Sequence, residues 1–516
     1  MLRVVSTITL VTAALATVVL FGAGCRRTPT FSRDVAPILH ARCAPCHHDG
    51  GAAPFALTSY DDAARRATQI ARVTERRFMP PWKASLGPRY AGERRLGDDE
   101  IATLRRWADA RAPVGDRAAI PAPPVFADGW ALGKPDLVVT LPAYPLAAGG
   151  ADDYRNFVVR APVSTTRWVA AWELRPNGRT IHHAIVNVDR NGLLRKRDGS
   201  DGKPGFSGME ALDAQSPDGF YLVWTPGQAP TAPLAGQAWR IDGETDLIVQ
   251  LHLRPTGKPE TVQPSVALYF TDAPPTVPRM TMRIGDLPID LAPGATFTMR
   301  DAVTLPVDVE LLALFPHLHY LGRTVRVRAK LPSDDAERAL LDIEDWDPAW
   351  QDKYVLATPL RLPAGSTLSM ELGYDNSANN PRNPNSPPVR VKTGERTVDE
   401  MGNVTFELRL AGERDKVQLR EAKYRREIER GGGARAWYNL GNTLGEEGRF
   451  PDAIGAFEHA VALAPSLMPA HANLGRARFV AGDVDGAIRA YQAALAIDPG
   501  NARVRKMLEE ARAKKN

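Results

Sequence analysis

Ile181-His182-His183-Ala184-Ile185-Val186-Asn187-Val188 is a β-branched run that carries two adjacent imidazoles. Branched side chains suit a pleated strand and lose rotamer freedom in a helix. Asp136-Leu137-Val138-Val139-Thr140-Leu141 and Thr324-Val325-Arg326-Val327 read the same way, and Pro, Gly, Asn and Asp punctuate the intervals. Short strands at this spacing predict antiparallel sandwiches over residues 128–412 rather than alternating strands and helices. The block is long for one sandwich. A break at Thr271-Asp272-Ala273-Pro274-Pro275 divides it into two all-β parts, 128–273 and 274–412.

Five of the ten histidines fall in this block: His182, His183, His252, His317 and His319. In Phe315-Pro316-His317-Leu318-His319-Tyr320 the H-x-H spacing turns both rings to one face of a strand, which is ligand spacing. An adjacent pair such as His182-His183 points to opposite faces unless the strand ends or kinks. His252 sits in the apolar run Gln250-Leu251-His252-Leu253. A single histidine of this kind is ordinarily a satisfied core or surface side chain. Every histidine of the block, however, has an HH, HxH or in-strand apolar setting. Imidazole suits copper, zinc or iron, and an added thioether selects copper.

The N-terminal side belongs to an exported chain. Arg3 precedes an uncharged run over residues 4–24 that ends Gly22-Ala23-Gly24-Cys25. A cationic start, an apolar core and small residues before a cut describe a secretory signal. Small residues running into Cys25 resemble a bacterial lipobox, with Gly22 where a leucine is usual; a plain N-terminal membrane anchor is the alternative. Either way the chain is expected outside the cytoplasm, periplasmic or at the cell surface, tethered to a membrane. Cys43-Ala44-Pro45-Cys46-His47 is a C-x-x-C-H run, the signature of covalent c-type haem attachment. Two thiols bond the porphyrin vinyl groups, and the adjacent histidine sits under the iron. With three cysteines in all, none remains to complete a zinc site. Met79, in Arg77-Phe78-Met79-Pro80-Pro81-Trp82 after a helical stretch at 61–76, is the expected sixth ligand and resembles that of small cytochromes c. His40 and His48 are its rivals. One haem is expected.

The histidines of the β block, with Asp399-Glu400-Met401 behind them, resemble the copper type II, ascorbate-dependent monooxygenases, the family of peptidylglycine α-hydroxylating and dopamine β-monooxygenases. His182-His183 is similar to that family's paired-histidine motif, and His252 to the third ligand of the same copper. His317-Leu318-His319-Tyr320-Leu321-Gly322 resembles its H-T-H-x-x-G motif at a second copper, which the methionine at Met401 completes. The resemblance implies two jelly-roll-like sandwiches facing a solvent cleft and two copper ions. It also implies hydroxylation of a C–H bond by O2, catalysed at His317, His319 and Met401. Ascorbate is the reductant it implies, and the haem is an in-chain donor. The departures are that this block lacks cysteine, Phe315 replaces a substrate-clamping arginine, and Thr405 replaces a tyrosine. A C-terminal glycine peptide therefore fits poorly, and the substrate stays open between a small molecule and a peptide. The order of a haem domain, Met-Pro-Pro-Trp and a copper block with Tyr374-Asp375-Asn376-Ser377-Ala378-Asn379-Asn380-Pro381 resembles bacterial members with a fused cytochrome.

The tail repeats. Leu440-Gly441 recurs as Leu474-Gly475, Ala453 as Ala487, Phe457 as Tyr491, Ala460 as Ala494 and Pro465 as Pro499. A period of about thirty-four with these residue types is the tetratricopeptide pattern. Two repeats, 434–467 and 468–501, need capping by flanking helices at 418–430 and 502–515. Two readings stay open: a docking surface for another protein, or a helical buttress on the copper block. Sixty-five basic and 60 acidic residues leave a net charge of +5 over 516 residues, too evenly spread for a nucleic-acid partner. The expected organisation is multidomain. It runs from a signal or lipobox (1–25) to an all-α cytochrome c-like domain (26–115) and a linker (116–127). The two all-β sandwiches and the α-helical tail (413–516) follow. The competing function is a non-catalytic haem and copper protein for electron transfer or copper binding.

Overall fold

A computed structural model describes residues 27–49, 51, 53–125, 130–208, 216–228, 230–394, 396 and 398–515. The export signal and Cys25 lie outside the described residues. Among the described residues no helix is long and apolar enough to cross a membrane. The chain divides into two units: one holds residues up to 48 with 55–78 and 96–124, and the other holds 49–54, 79–95 and 125–516.

The first unit is helical. Its helices are Ala36–Arg42, Tyr60–Ala64, Ala67–Glu75 and Asp98–Asp109, preceded by a π-turn at Phe31–Val35. Buried Phe31, Leu39, Ile70, Leu104 and Trp107 make its core. The helix expected at 61–76 is two helices, broken at Arg65 and Arg66, where Arg66 leaves helical geometry at ψ 10°.

The second unit opens with two antiparallel sheets. One has the order 137–140, 265–271, 167–175, 239–241; the other has 206–207, 153–160, 246–253, 181–189, 222–224. Val139, Phe157, Val186, Trp239 and Leu251 are buried between them. A further pair of four-stranded sheets follows, ordered 279–285, 402–410, 309–318, 354–362 and 296–304, 367–375, 322–330, 338–343. Its core holds Leu311, Val327, Trp346, Leu372 and Phe406. The middle of the chain is therefore β-rich, with a strand break where Thr271 gives way to Arg279.

Residues 79–95, expected inside the helical domain, belong to the β unit instead. They cross one open side of the second sandwich as a strap. Leu86 bridges Asp342 on one edge strand, and Tyr90 bridges Leu356 on the edge strand of the other sheet. Trp82, Tyr90 and Tyr354 pack ring against ring at 5.3–5.7 Å. The physical reason is edge satisfaction: two exposed edges gain backbone partners, and the aromatic residues of the strap gain a core.

Among the described residues six helices follow, from Glu413–Glu429 to Ala502–Lys515. Gly441 and Gly475 lie where a Cβ would come within 2.6 Å of the Phe457 ring and 2.5 Å of the Tyr491 ring. These pairs are one repeat apart, so close helix contact explains both glycines. Helix Glu413–Glu429 buries Leu419 in the core of the second sandwich, and its Arg426 and Arg430 pair with buried Asp301.

Candidate metal centre

The His182-His183 pair solves its facing problem with a bulge. Strand Ile181–Asp189 pairs with Asp246–Leu253 so that Ile181 faces Leu253 while His183 faces His252, leaving His182 as the extra residue. A bulge bends the strand and re-aims one side chain. All three rings then converge: Nδ1 of His182 is 3.3 Å from Nδ1 of His183 and 3.2 Å from Nδ1 of His252, and the last two are 3.4 Å apart. Among the described residues these three form a ligand cluster whose donor atoms lie within 4.8 Å of one another.

The tautomer of His252 is set by Asp152, whose Oδ2 accepts from Nε2 at 2.8 Å. A neutral ring has one N–H, so Nδ1 of His252 carries a lone pair into the cluster. A carboxylate behind a histidine that offers its other nitrogen is the usual support of a metal ligand. Tyr154 stacks on the His252 ring at 4.2 Å. Burial pushes His182 down to about 4 and His183 well below the usual imidazole range, aided by the neighbouring histidines. Neutral rings are what a metal requires.

His317 and His319 come from the end of strand Val309–Leu318, with ring centroids 5.2 Å apart and planes at 89°. Nδ1–H of His317 donates to Oε1 of Gln351 at 2.6 Å, and Nδ1–H of His319 to the Asp399 carbonyl at 3.0 Å. Both rings therefore present Nε2. That of His319 is buried and finds no partner among the described residues, an expensive state for a polar atom unless a ligand takes it. Burial holds His317 at about 3, and His319 is lowered for the same first reason.

The backbone of Met401 lies beside that of His319. Strands Val309–Leu318 and Gly402–Leu410 pair Leu318 with Gly402, so Met401 stands one step on, opposite His319. Oε1 of buried Glu400 accepts from the amides of both His319 (2.6 Å) and Met401 (2.9 Å), while Oε2 accepts from Leu321 N at 2.9 Å. Burial lifts the Glu400 carboxyl to about 8 against these amide donors.

The two histidine sets are not apart. His182 and His252 of the first sandwich and His317 and His319 of the second line one small pocket, with Tyr154, Arg254 and Tyr320 at its wall. The donor sets, three imidazoles and two imidazoles beside a thioether residue, fit copper, and the first also fits zinc. Phe315 faces Tyr221 at 5.5 Å in a small apolar cluster, and Thr405 is buried.

In the helical unit, the amides of Cys46 and His47 both bond to the Cys43 carbonyl, continuing the turn after helix Ala36–Arg42. Nδ1–H of His47 donates to the Phe55 carbonyl at 3.0 Å, which leaves Nε2 for an iron. Both cysteines are half-buried, and burial pushes the Cys43 thiol up to about 12. A tight turn that carries two cysteines and an oriented imidazole fits covalent haem. The rival histidines are tied to carbonyls, His40 to Thr58 and His48 to Ala44. Met79 opens the strap and so falls to the other unit.

Asp152, Gln351 and Glu400 support the candidate ligands and were not singled out by sequence reasoning. Only Glu400 had a signal, its place beside Met401.

The tetratricopeptide repeat model matches residues 420–467 and 438–502. The tail is a tetratricopeptide repeat region. It is similar to the second such domain of human RPAP3 in complex with an HSP70 peptide, at 23% identity over 19% of this chain and 84% of that one, TM-score 0.19. It is also similar to the first such domain of Spaghetti (RPAP3) bound to an HSP90 peptide (20%, covering 20% and 82%, TM-score 0.19) and to MamA (26%, covering 20% and 58%, TM-score 0.18). No curated protein matches the chain.

Proposed function

We propose that the chain is a copper-dependent monooxygenase that hydroxylates a C–H bond with O2, fed with electrons by a c-type haem, by ascorbate or by both. The observation that carries this reading is the convergence of His182, His183 and His252 with the orphaned Nε2 of His319 beside them in one pocket. Copper held there supplies single electrons and, at the thioether-containing site, a place for O2. His182, His183 and His252 hold the histidine-only ion, with Asp152 fixing the proton of His252. His317, His319 and Met401 hold the softer one, with Gln351, the Asp399 carbonyl and Glu400 fixing their orientation. Cys43, Cys46 and His47 attach a haem that carries one electron, and Met79 is its proposed sixth ligand. The replacement of the arginine by Phe315, in an apolar cluster, supports a substrate without a carboxylate at that point.

The tail would dock a protein partner. The anchoring of its first helix on Asp301 supports a fixed rather than tethered docking surface. The signal segment supports an exported, membrane-tethered location.

The test is anaerobic reduction of the copper-loaded chain, addition of 18O2 and mass analysis across candidate C–H donors. A product carrying one 18O is expected. Reoxidation of both centres with no labelled product from any donor would instead favour the electron-transfer protein.

A further inference from the structure

The loop after Trp346 joins His317 to the strap and to the first sandwich. Asp347 caps a tight turn at Pro348–Trp350, and the Gln351 side-chain amide closes it by donating to the Pro348 carbonyl at 3.2 Å. From this turn contacts fan out from three consecutive residues. Gln351 Oε1 accepts from His317 at 2.6 Å. Asp352 pairs with Arg94 of the strap. Lys353 Nζ bonds Glu407 Oε2 at 2.7 Å and the Tyr221 carbonyl of the first sandwich at 2.9 Å.

Gln351, Asp352 and Glu407 are all buried, and the Lys353 side chain is 12% exposed. A buried charge is tolerated only when it is paired and hydrogen-bonded, so each pair has one arrangement and little freedom. Arg94 is itself fixed: Nη2 also donates to the Pro81 carbonyl at 3.2 Å, and the guanidinium lies over the Trp82 ring. A displacement at Arg94 therefore reaches His317 through two hydrogen-bonded contacts and one peptide.

We propose that the loop 347–353 is the positioning element of the His317–His319 set, and that Arg94, contributed by the strap, is the positioning residue that holds it. The inference rests on the copper reading of the pocket. It goes beyond that reading because Arg94 lies in a segment far from the histidines in sequence. Both ends of the strap run directly into the residues of the helical unit, so the segment that follows the C-x-x-C-H motif in the chain also sets the geometry of the candidate copper ligands.

The test uses the full chain loaded with Cu(II) alone and reads the copper electron paramagnetic resonance spectrum with metal affinity. Arg94→Ala and Asp352→Asn are expected to alter the spectrum of the His317 ion and weaken its binding severalfold, while Arg94→Lys restores most of the native signal. Gln351→Leu, which leaves the ion pairs intact, is expected to change the same signal and serves if the charge variants fail to fold. A folded Arg94→Ala or Gln351→Leu variant with native affinity and native spectrum overturns the inference while leaving the copper reading in place. Failure of the unaltered chain to bind copper overturns both.

Discussion

Single residues carry the candidate centre, and their support is as informative as the ligands. The H-x-H pair was legible because strand periodicity alone faces both rings one way. The His182-His183 pair was not, because a bulge is a property of pairing between strands and not of either strand by itself. Asp152 and Gln351 carry no local signal, since their neighbours in space lie 100 and 34 residues away. Glu400→Gln must turn an amide nitrogen toward backbone N–H groups that now donate to both oxygens of the Glu400 carboxyl. A loss of about 1–3 kcal/mol is expected in denaturant unfolding. The metal-free chain is also expected to lose stability as pH falls. Unfolded imidazoles take up protons near pH 6.5, whereas folded His182 and His317 resist to about 4 and about 3. Between those limits the unfolded state binds more protons, so the melting temperature drops from pH 6.5 toward 4. A flat profile over that range would show that the rings are not buried neutral.

Elements were read with uneven success, and the reason is range. Strands and tail helices follow from local periodicity, and the helix Ala502–Lys515 falls at its expected place. The strap does not, because an edge strand is defined by what it covers. The first flanking helix begins at Glu413 rather than 418 because Leu419 has a core to enter and Asp301 draws its last turns onto the sandwich. Gly441→Ala and Gly475→Ala test the repeat packing. Each methyl group meets an aromatic ring at under 3 Å, and overpacking of this kind costs about 1–3 kcal/mol. Thermal unfolding of the tail should register each loss, and an unchanged midpoint would contradict the close contact. Asp301→Asn should release the junction helix, read as faster amide exchange over 413–430 with the sandwich core unaffected.

At the scale of the whole molecule, the β unit brings histidines from two sandwiches to one pocket and carries a repeat tail pinned to the second. His182 and His252 of one sandwich and His317 and His319 of the other line the same small pocket. Spacing between domains is fixed by buried contacts such as Lys353 with Glu407 and Tyr221, which no local pattern reveals. The copper reading is tested most directly by metal content. The full chain, loaded with copper, freed of excess and assayed by elemental analysis, is predicted to retain two ions per chain. His252→Ala is predicted to retain one, and Met401→Leu to retain two with the second held less tightly as Cu(I). One ion in the unaltered chain, or zinc retained in preference to copper, would contradict the account.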